Sequence, residues 1–312
     1  MPVRSAHWAK LLDPALTDAF FIGFSSDGRR ASFIPSLFGV VSSQRADEQH
    51  QGVGVLGSDG WNFEDSGRVQ YDEPNKGYLK TFTHVEFAKG FQVERKFADD
   101  NRWRSAIDTA TNLGDSAYRK REKGAASVFT NAFTDSGTND DGQPIAGPDA
   151  VGLCSTAHPL SQDASGSTQS NEGTLSLTVD NLATTRQNHM ALTDDRGDLM
   201  DVMPDELLVP PELEDTALKI VKSSQEPNSA NNAINPQSGR FALKTWHYLT
   251  DANAWFTIDS GRRRQSLLWY DRIPLEFGRE EDFDTLAAKY RAYMRYSYGW
   301  RDYAWIYGQN PS

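Results

Sequence analysis

"TFTHVEFAKGFQVERKF" (residues 81–97) leads almost directly into "DDNRWRSAIDTATNLGDSAYRKREKGAASVFTNAF" (residues 99–133). In the first segment Val85, Phe87, Phe91, Val93 and Phe97 share one parity, interrupted by Lys89 and Arg95. A period of two means a strand with one buried face. In the second segment the period changes. Trp103, Ala106, Ile107, Ala110, Leu113, Ala117, Arg121, Ala125, Val128, Phe129 and Ala132 recur at steps of three and four, which is the stripe of a long amphipathic helix. Asp99, Asp100 or Asn101 can cap its start. Gly114 and Gly124 lie within it and are expected to weaken or bend it. An apolar stripe this long implies that the helix lies along something for its whole length.

Upstream, residues 46–80 are polar and broken by Gly52, Gly54, Gly57, Gly60 and Gly67. The apolar residues between them, Val53, Val55, Trp61, Phe63, Val69 and Tyr71, are too few to bury a core, so a projecting two-stranded hairpin fits best. Further upstream, "DPALTDAFFIGF" suits a short helix starting at Asp13 or Pro14, and the rest of residues 1–45 reads as an extended arm.

Downstream, residues 134–175 read as a long loop, a feature that is often functional or mobile. A helix is expected over 180–192, capped by Asp180. "LLVPPELEDTALKIV" (207–221) reads as a short buried strand, a proline stop and a helix with Pro211 at its first position. Glu212, Glu214 and Asp215 at its start and Lys219 and Lys222 near its end complement the helix dipole. Strands follow in "ALKTWHYL", "AWFTIDS" and "QSLLWYDRIPLEF". Nine of the last thirty residues are aromatic, and Tyr290, Ala292, Met294, Tyr296 and Tyr298 share one strand face, with a turn near Gly299 expected to return the chain. The pattern is α+β.

The 312 residues carry a formal net charge of −11, which argues against a surface built to grip DNA but suits one that lies near DNA without adhering. One cysteine, Cys154, excludes an internal disulfide and suits a reducing compartment. No apolar run approaches the length of a membrane span. "CSTAH" places Cys154 and His158 in one loop, but nucleophilic pairs normally meet from distant sequence positions, so an incidental loop is the main reading. No histidine pair has HxH or HExxH spacing, and "GVGVLG" (52–57) matches a dinucleotide loop only superficially. No catalytic, cofactor or metal residues are assigned. "GRRR" places Arg262, Arg263 and Arg264 together, on a solvated face, in contact with the acidic 194–226 region of a neighbour, or against nucleic acid. A hairpin and an arm that cannot cover themselves call for another copy of the same chain.

The ordered phrases "LLDPALTDAFFIGF", "HVEFAKGFQVERKFADDNRW", "LGDSAYRKREKGAASVFTNAF", "AHPL", "LLVPPELEDTALKIV", "NPQSGRF", "LTDANAWFTID" and "YGWRDYAWIYG" span residues 11–308. Together they resemble tailed-phage major capsid proteins of the Hong-Kong-97-type fold, closest to the Mu-like major head subunit group. The resemblance implies an N-terminal arm (1–45), an extended loop overlapping a neighbour (46–98) and a peripheral domain with a spine helix (99–175). It further implies an axial α/β domain (176–275) and return strands of the peripheral domain (276–312). It implies hexamers and pentamers closing into an icosahedral virion shell around double-stranded DNA, assembled in the host cytoplasm. Scaffolding protein, portal protein and decoration protein are the implied partners, with no membrane and no cofactor. Some relatives begin with a helical scaffolding segment; this chain goes almost directly to "LLDPALTDAF", so separate scaffolding protein is expected. Some relatives crosslink a loop lysine, and Lys76 and Lys80 lie at or near the loop, but no partner is evident. Trp61, Phe63, Tyr71, Arg262, Arg263 and Arg264 are the candidate intersubunit contacts. The alternatives are a nanocompartment shell around protein cargo and a Cys154–His158 hydrolase.

Overall fold

The computed structural model describes residues 8–25, 31–57, 69, 71–96, 100, 102–162, 167–225, 233–282 and 287–311. Helix α1 (Trp8–Ser25) and the short α2 (Ile34–Leu37) precede strands β1 (Gly39–Ser42), β2 (Asp47–Val53), β3 (Lys76–Thr83) and β4 (Val85–Glu94). The long helix α3 (Trp103–Thr130) follows, then three two-residue strands, β5 (His158–Pro159), β6 (Thr168–Gln169) and β7 (Glu172–Gly173). Next come α4 (Val179–Met190), β8 (Glu206–Val209), α5 (Glu214–Lys222), β9 (Ala242–Thr245), β10 (Trp255–Ile258) and α6 (Ser260–Ser266). The chain closes with β11 (Leu267–Asp282), β12 (Ala287–Trp300) and β13 (Ile306–Gln309).

Two larger sheets organise these elements. One has the order β1-β11-β12-β4, and the other β7-β13-β10-β8-β9. Among the described residues, β2 and β3 pair with each other alone, as an antiparallel hairpin. The strand expected over 81–97 is divided at His84. Its distal part, β4, pairs along β12 from Val85↔Tyr296 to Glu94↔Ala287. Val93 is buried, and Val85, Phe87 and Phe91 are half-buried on the same parity. Phe97 lies outside the described residues.

Helix α3 is the spine on which both sheets are arranged. At about 1.5 Å per residue its 28 residues span about 42 Å. Its first half packs Ala106, Ala110 and Leu113 against Leu16, Ala19 and Phe20 of α1 and against Val93, Tyr290 and Ala292 of the sheet. Its second half puts Ala125, Val128 and Phe129 into a core shared by both sheets, with Trp246, Phe256, Trp269, Tyr296 and Trp305. Phe129 meets Trp246, Phe256 and Trp305 edge-on, at ring-centroid distances of 6.0, 5.7 and 6.2 Å. Such geometry adds to the burial term for aromatic pairs.

The two helix glycines do not break the spine. A Cβ on Gly114 would stand 2.0 Å from the Phe20 carbonyl oxygen, and one on Gly23 of α1 would stand 2.1 Å from the Thr111 carbonyl oxygen. The two glycines face each other's helix, so the α1 and α3 backbones approach more closely than any side chain permits. A Cβ on Gly124 would meet Asp141 Oδ2.

Several expectations are corrected. α3 begins at Trp103 with Arg102 at the N-cap and no side-chain cap. α4 is capped by Thr178, whose hydroxyl accepts from the Asn181 amide, and Asp180 sits in the first turn. α1 starts upstream of Asp13, with Pro14 inside it. Residues 31–45 are not a free arm, because β1 pairs in parallel with β11 as a sheet edge. The described residues of the 134–175 loop are packed, not loose: Asp141, Gln143, Leu153, Cys154, His158 and Asn171 are all buried. β12 pairs with the preceding β11 and with β4, not with a strand returning after Gly299, and β13 crosses to the second sheet to pair with β10. The strand-to-helix corner at 207–221 stands as read: β8 is buried throughout, a 3-10 turn covers Pro211–Leu213, and α5 buries Ala217, Ile220 and Val221.

Gly114→Ala separates two opposed effects. Helix propensity alone favours alanine by about 1 kcal/mol. The clash with the Phe20 carbonyl dominates, since overpacking costs about 1–3 kcal/mol and backbone cannot yield as a side-chain tip can. Urea unfolding of the variant is expected to show a lower midpoint, and an unchanged or higher midpoint contradicts the close contact.

Candidate assembly interface

The β2–β3 hairpin is rooted in the body and carries exposed apolar side chains beyond its root. At the root, Phe82 is buried with Leu268 and Tyr270. The Phe82 and Tyr270 rings lie 5.2 Å apart, and His50 Nε2 is 2.6 Å from the Tyr270 hydroxyl. Lys80 Nζ donates to the Ala146 carbonyl at 3.1 Å and lies 5.3 Å from the Trp300 ring centroid. Burial pulls the Lys80 pKa down to about 8, partly offset by Asp149. A side chain so enclosed is not presented to a neighbour, so the structure gives no support to Lys80 as a surface crosslinking amine. At the hairpin's exit, His84 is buried between the hydroxyls of Ser43 and Ser297, at 3.1 and 2.9 Å.

Away from the root the apolar side chains lose cover. Val53 is 71% exposed and Tyr71 94%, and Val55, Leu56, Val69 and Leu79 are also exposed. Singly exposed apolar residues are ordinary, but a group of them on one hairpin is the kind of patch that protein contacts cover. Trp61 and Phe63 lie outside the described residues. Among the described residues, Tyr71 is the exposed aromatic of the candidate set.

Sequence reasoning missed how the hairpin is braced. A turn closed by the Thr193↔Leu199 bridge presents Asp195 and Arg196 to it. The Asp195 carboxylate accepts from the Val55 amide at 3.2 Å and from Asn75 Nδ2 at 2.8 Å. Arg196 donates from Nε to the Val55 carbonyl at 2.9 Å, and its NH2 group reaches the Asp72 carboxylate at 2.8 Å and the Glu73 carbonyl at 3.0 Å. Asp72 accepts in turn from the Gly57 amide at 3.0 Å, and this bond, with the Arg196 contact second, holds its carboxyl below the usual carboxylate pKa. The one available signal was "GVGVLG". A Cβ on Gly54 would lie 2.5 Å from Asp195 Oδ2 and 2.9 Å from the Asn75 carbonyl, and one on Gly77 would lie 2.5 Å from the Gly52 carbonyl carbon. These glycines permit close approach to the turn and across the hairpin, not nucleotide binding.

The basic cluster divides by residue. Arg263 is 1% exposed, so its assignment as an intersubunit contact is corrected. It pairs with Glu206 at 3.1 Å and donates to the carbonyls of Ser36 and Leu37, both at 2.8 Å. Lys244 joins the same carboxylate at 2.9 Å. This triad fastens the second sheet to α2 within one subunit. Arg262 is half-buried and donates to the Asp201 carbonyl at 3.1 Å, while Arg264 is exposed.

Cys154 and His158 are not arranged for nucleophilic attack. Cys154 is fully buried, and burial pushes its thiol pKa well up. His158 Nδ1 is 2.6 Å from Asp149 and Nε2 is 3.0 Å from Asn171 Oδ1, which leaves neither ring nitrogen for the sulfur. Among the described residues no cluster of His, Cys, Asp or Glu could hold a metal, and no helix is long and apolar enough to cross a membrane.

A family profile described as "Phage capsid protein" matches residues 77–308. The chain belongs to the phage capsid protein family. No curated protein matches. Solved structures agree on the fold at low identity. The mature capsid of bacteriophage PhiM1 superposes with a TM-score of 0.59 at 12% identity, covering 91% of this chain and 88% of that one. The capsid of the native GTA particle gives 0.55 at 14% identity, with 91% of each chain covered. The capsid of bacteriophage JBD30, decorated with minor capsid protein trimers, gives 0.54 at 13% identity over 71% of this chain and 92% of that one. The α+β chain has the phage capsid fold, as the resemblance implied.

The division of the basic cluster has a measurable consequence. Arg263→Ala leaves the Glu206 carboxylate buried beside Lys244 alone, and breaking such a pair costs about 3–5 kcal/mol. Arg264→Ala removes an exposed charge and is expected to change stability by less than about 0.5 kcal/mol. Thermal melts of the two variants check this, and equal melting temperatures contradict the internal role of Arg263.

Proposed function

We propose that this protein is a major capsid subunit that assembles into hexamers and pentamers of an icosahedral shell enclosing phage double-stranded DNA. The observation that carries the reading is the hairpin: on a phage capsid fold, it projects apolar side chains that its own chain does not cover. A second copy is the partner with matching geometry at every position of a closed shell. Each contact needs only modest strength, because a shell closes many at once. The net charge of −11 suits a wall along which packaged DNA lies without sticking.

On this reading residues 46–98 form the extended loop. Residues 99–175 form the peripheral domain with α3 as its spine, and 176–275 form the axial domain. The last segment divides, with the β12 region in the peripheral domain and β13 completing the axial sheet. Residues 1–45 supply the arm, of which β1 is already anchored. The ordered phrases that span the chain favour the Mu-like head subunit group. Assembly in the host cytoplasm with a scaffolding protein, a portal protein at one vertex and decoration protein on the outer face follow from the same reading. Arg264, which is exposed, and the half-buried Arg262 remain candidate contacts with an acidic region of a neighbour.

The test is assembly itself. Val53→Ser combined with Tyr71→Ser removes two exposed apolar contacts and no buried one. The fraction of chain sedimenting as shells is expected to fall by at least about tenfold while the melting temperature of the free subunit is unchanged. Shell yield equal to the unaltered chain's contradicts the hairpin's role. Shells that carry protein cargo and no DNA contradict the packaging half of the reading.

A further inference from the structure

The braced hairpin raises a question that the fold alone does not answer. A two-stranded ribbon with little buried surface is marginal and free to swing about its root. If it swung freely, every neighbour contact would first have to fix its direction. Here two points hold it. One is the Phe82, Lys80 and His50 root. The other, further out, is the 193–199 turn, where Asp195 and Arg196 engage the chain just beyond both strands: Val55 after β2, and Asp72, Glu73 and Asn75 before β3. The turn is itself stiffened, since the Asp194 carboxylate accepts from the amides of Arg196 and Asp198 at 2.9 and 3.0 Å. A second and independent observation agrees. Gly54 faces Asp195 so closely that a Cβ would stand 2.5 Å from its carboxylate.

We propose that Asp195 and Arg196 are positioning residues for assembly: they form a strut that fixes the direction in which the hairpin projects, so that it meets a second copy of the chain already oriented. The strut rests on the capsid reading for its purpose but not for its existence. Arg196 suits the task because its planar guanidinium presents several donors in a fixed fork. Its donors reach carbonyls on both sides of the hairpin, at Val55 and Glu73, as well as the Asp72 carboxylate, and a lysine ammonium at the same place could not span them.

The test uses the full-length subunit with Arg196→Ala, Gly54→Ala and the double variant. The first reading is hydrogen exchange of the Val55 and Gly57 amides in the unassembled subunit. Both amides donate to side chains of the strut network, and each single variant is expected to speed their exchange by about tenfold or more. The second reading is the subunit concentration at which shells form with scaffolding protein present. It is expected to rise by about three- to tenfold, since each copy must now order its hairpin on contact. The melting temperature is expected to stay the same. The effects of the two substitutions are expected to add to less than their sum, because Gly54→Ala displaces Asp195 and Arg196→Ala removes its neighbour from the same Val55 segment. Arg196→Lys is expected to recover only part of the assembly.

Unchanged exchange overturns the strut. Faster exchange with unchanged assembly overturns its role in positioning. Faster exchange with assembly at a lower concentration also overturns it, because the contact would then be restraining the hairpin. If the unaltered chain forms no shells with scaffolding protein, the capsid reading falls. Exchange alone then decides whether the strut exists.

Discussion

The burial of α3 on two sides is the constraint on which the rest depends. A 28-residue helix with two glycines and no side-chain cap is not secured by propensity. It is secured by α1 and the β4–β12 strands along its first half, and by the aromatic core between the two sheets along its second. Because one helix enters both cores, the two sheets cannot settle independently. The hairpin root depends on the same frame, since Phe82 packs on Leu268 and Tyr270 of β11, the strand that pairs with β12.

What the sequence disclosed tracks how local the physics is. The spine helix, the alternating face of β4 and the proline corner at 207–221 were legible because period and turn chemistry act within a few residues. The β12 face was legible for the same reason, and the regularity of Tyr290, Ala292, Met294, Tyr296 and Tyr298 survives as one buried stripe. Gly114 was misjudged because its cause is 91 residues away, at Gly23 and Phe20 of α1. Arg263 was misjudged because a run of three arginines gives no hint that a short helix turns the middle one toward Glu206. The route of β13 into the second sheet is a tertiary fact that no local pattern carries.

The hairpin shows the same division. Its glycines, its thin apolar content and its need for outside cover could be read directly. The turn that braces it lies about 120 residues further along the chain, in a stretch that reads only as acidic. That acidity has a structural use here: Asp194 shapes the turn and Asp195 holds the hairpin. The hairpin is a ribbon rooted by aromatics, braced by an arginine fork and carrying exposed apolar side chains such as Val53 and Tyr71.

The most direct measurement is cryo-electron microscopy of the full-length chain assembled with its scaffolding protein. The account predicts closed shells in which each subunit's hairpin lies across an adjacent subunit, with Val53 and Tyr71 covered by that neighbour and the Arg196–Asp72 contact kept within the subunit. A chain that stays monomeric under these conditions contradicts the account. So do shells in which the hairpin faces solvent and touches no neighbour.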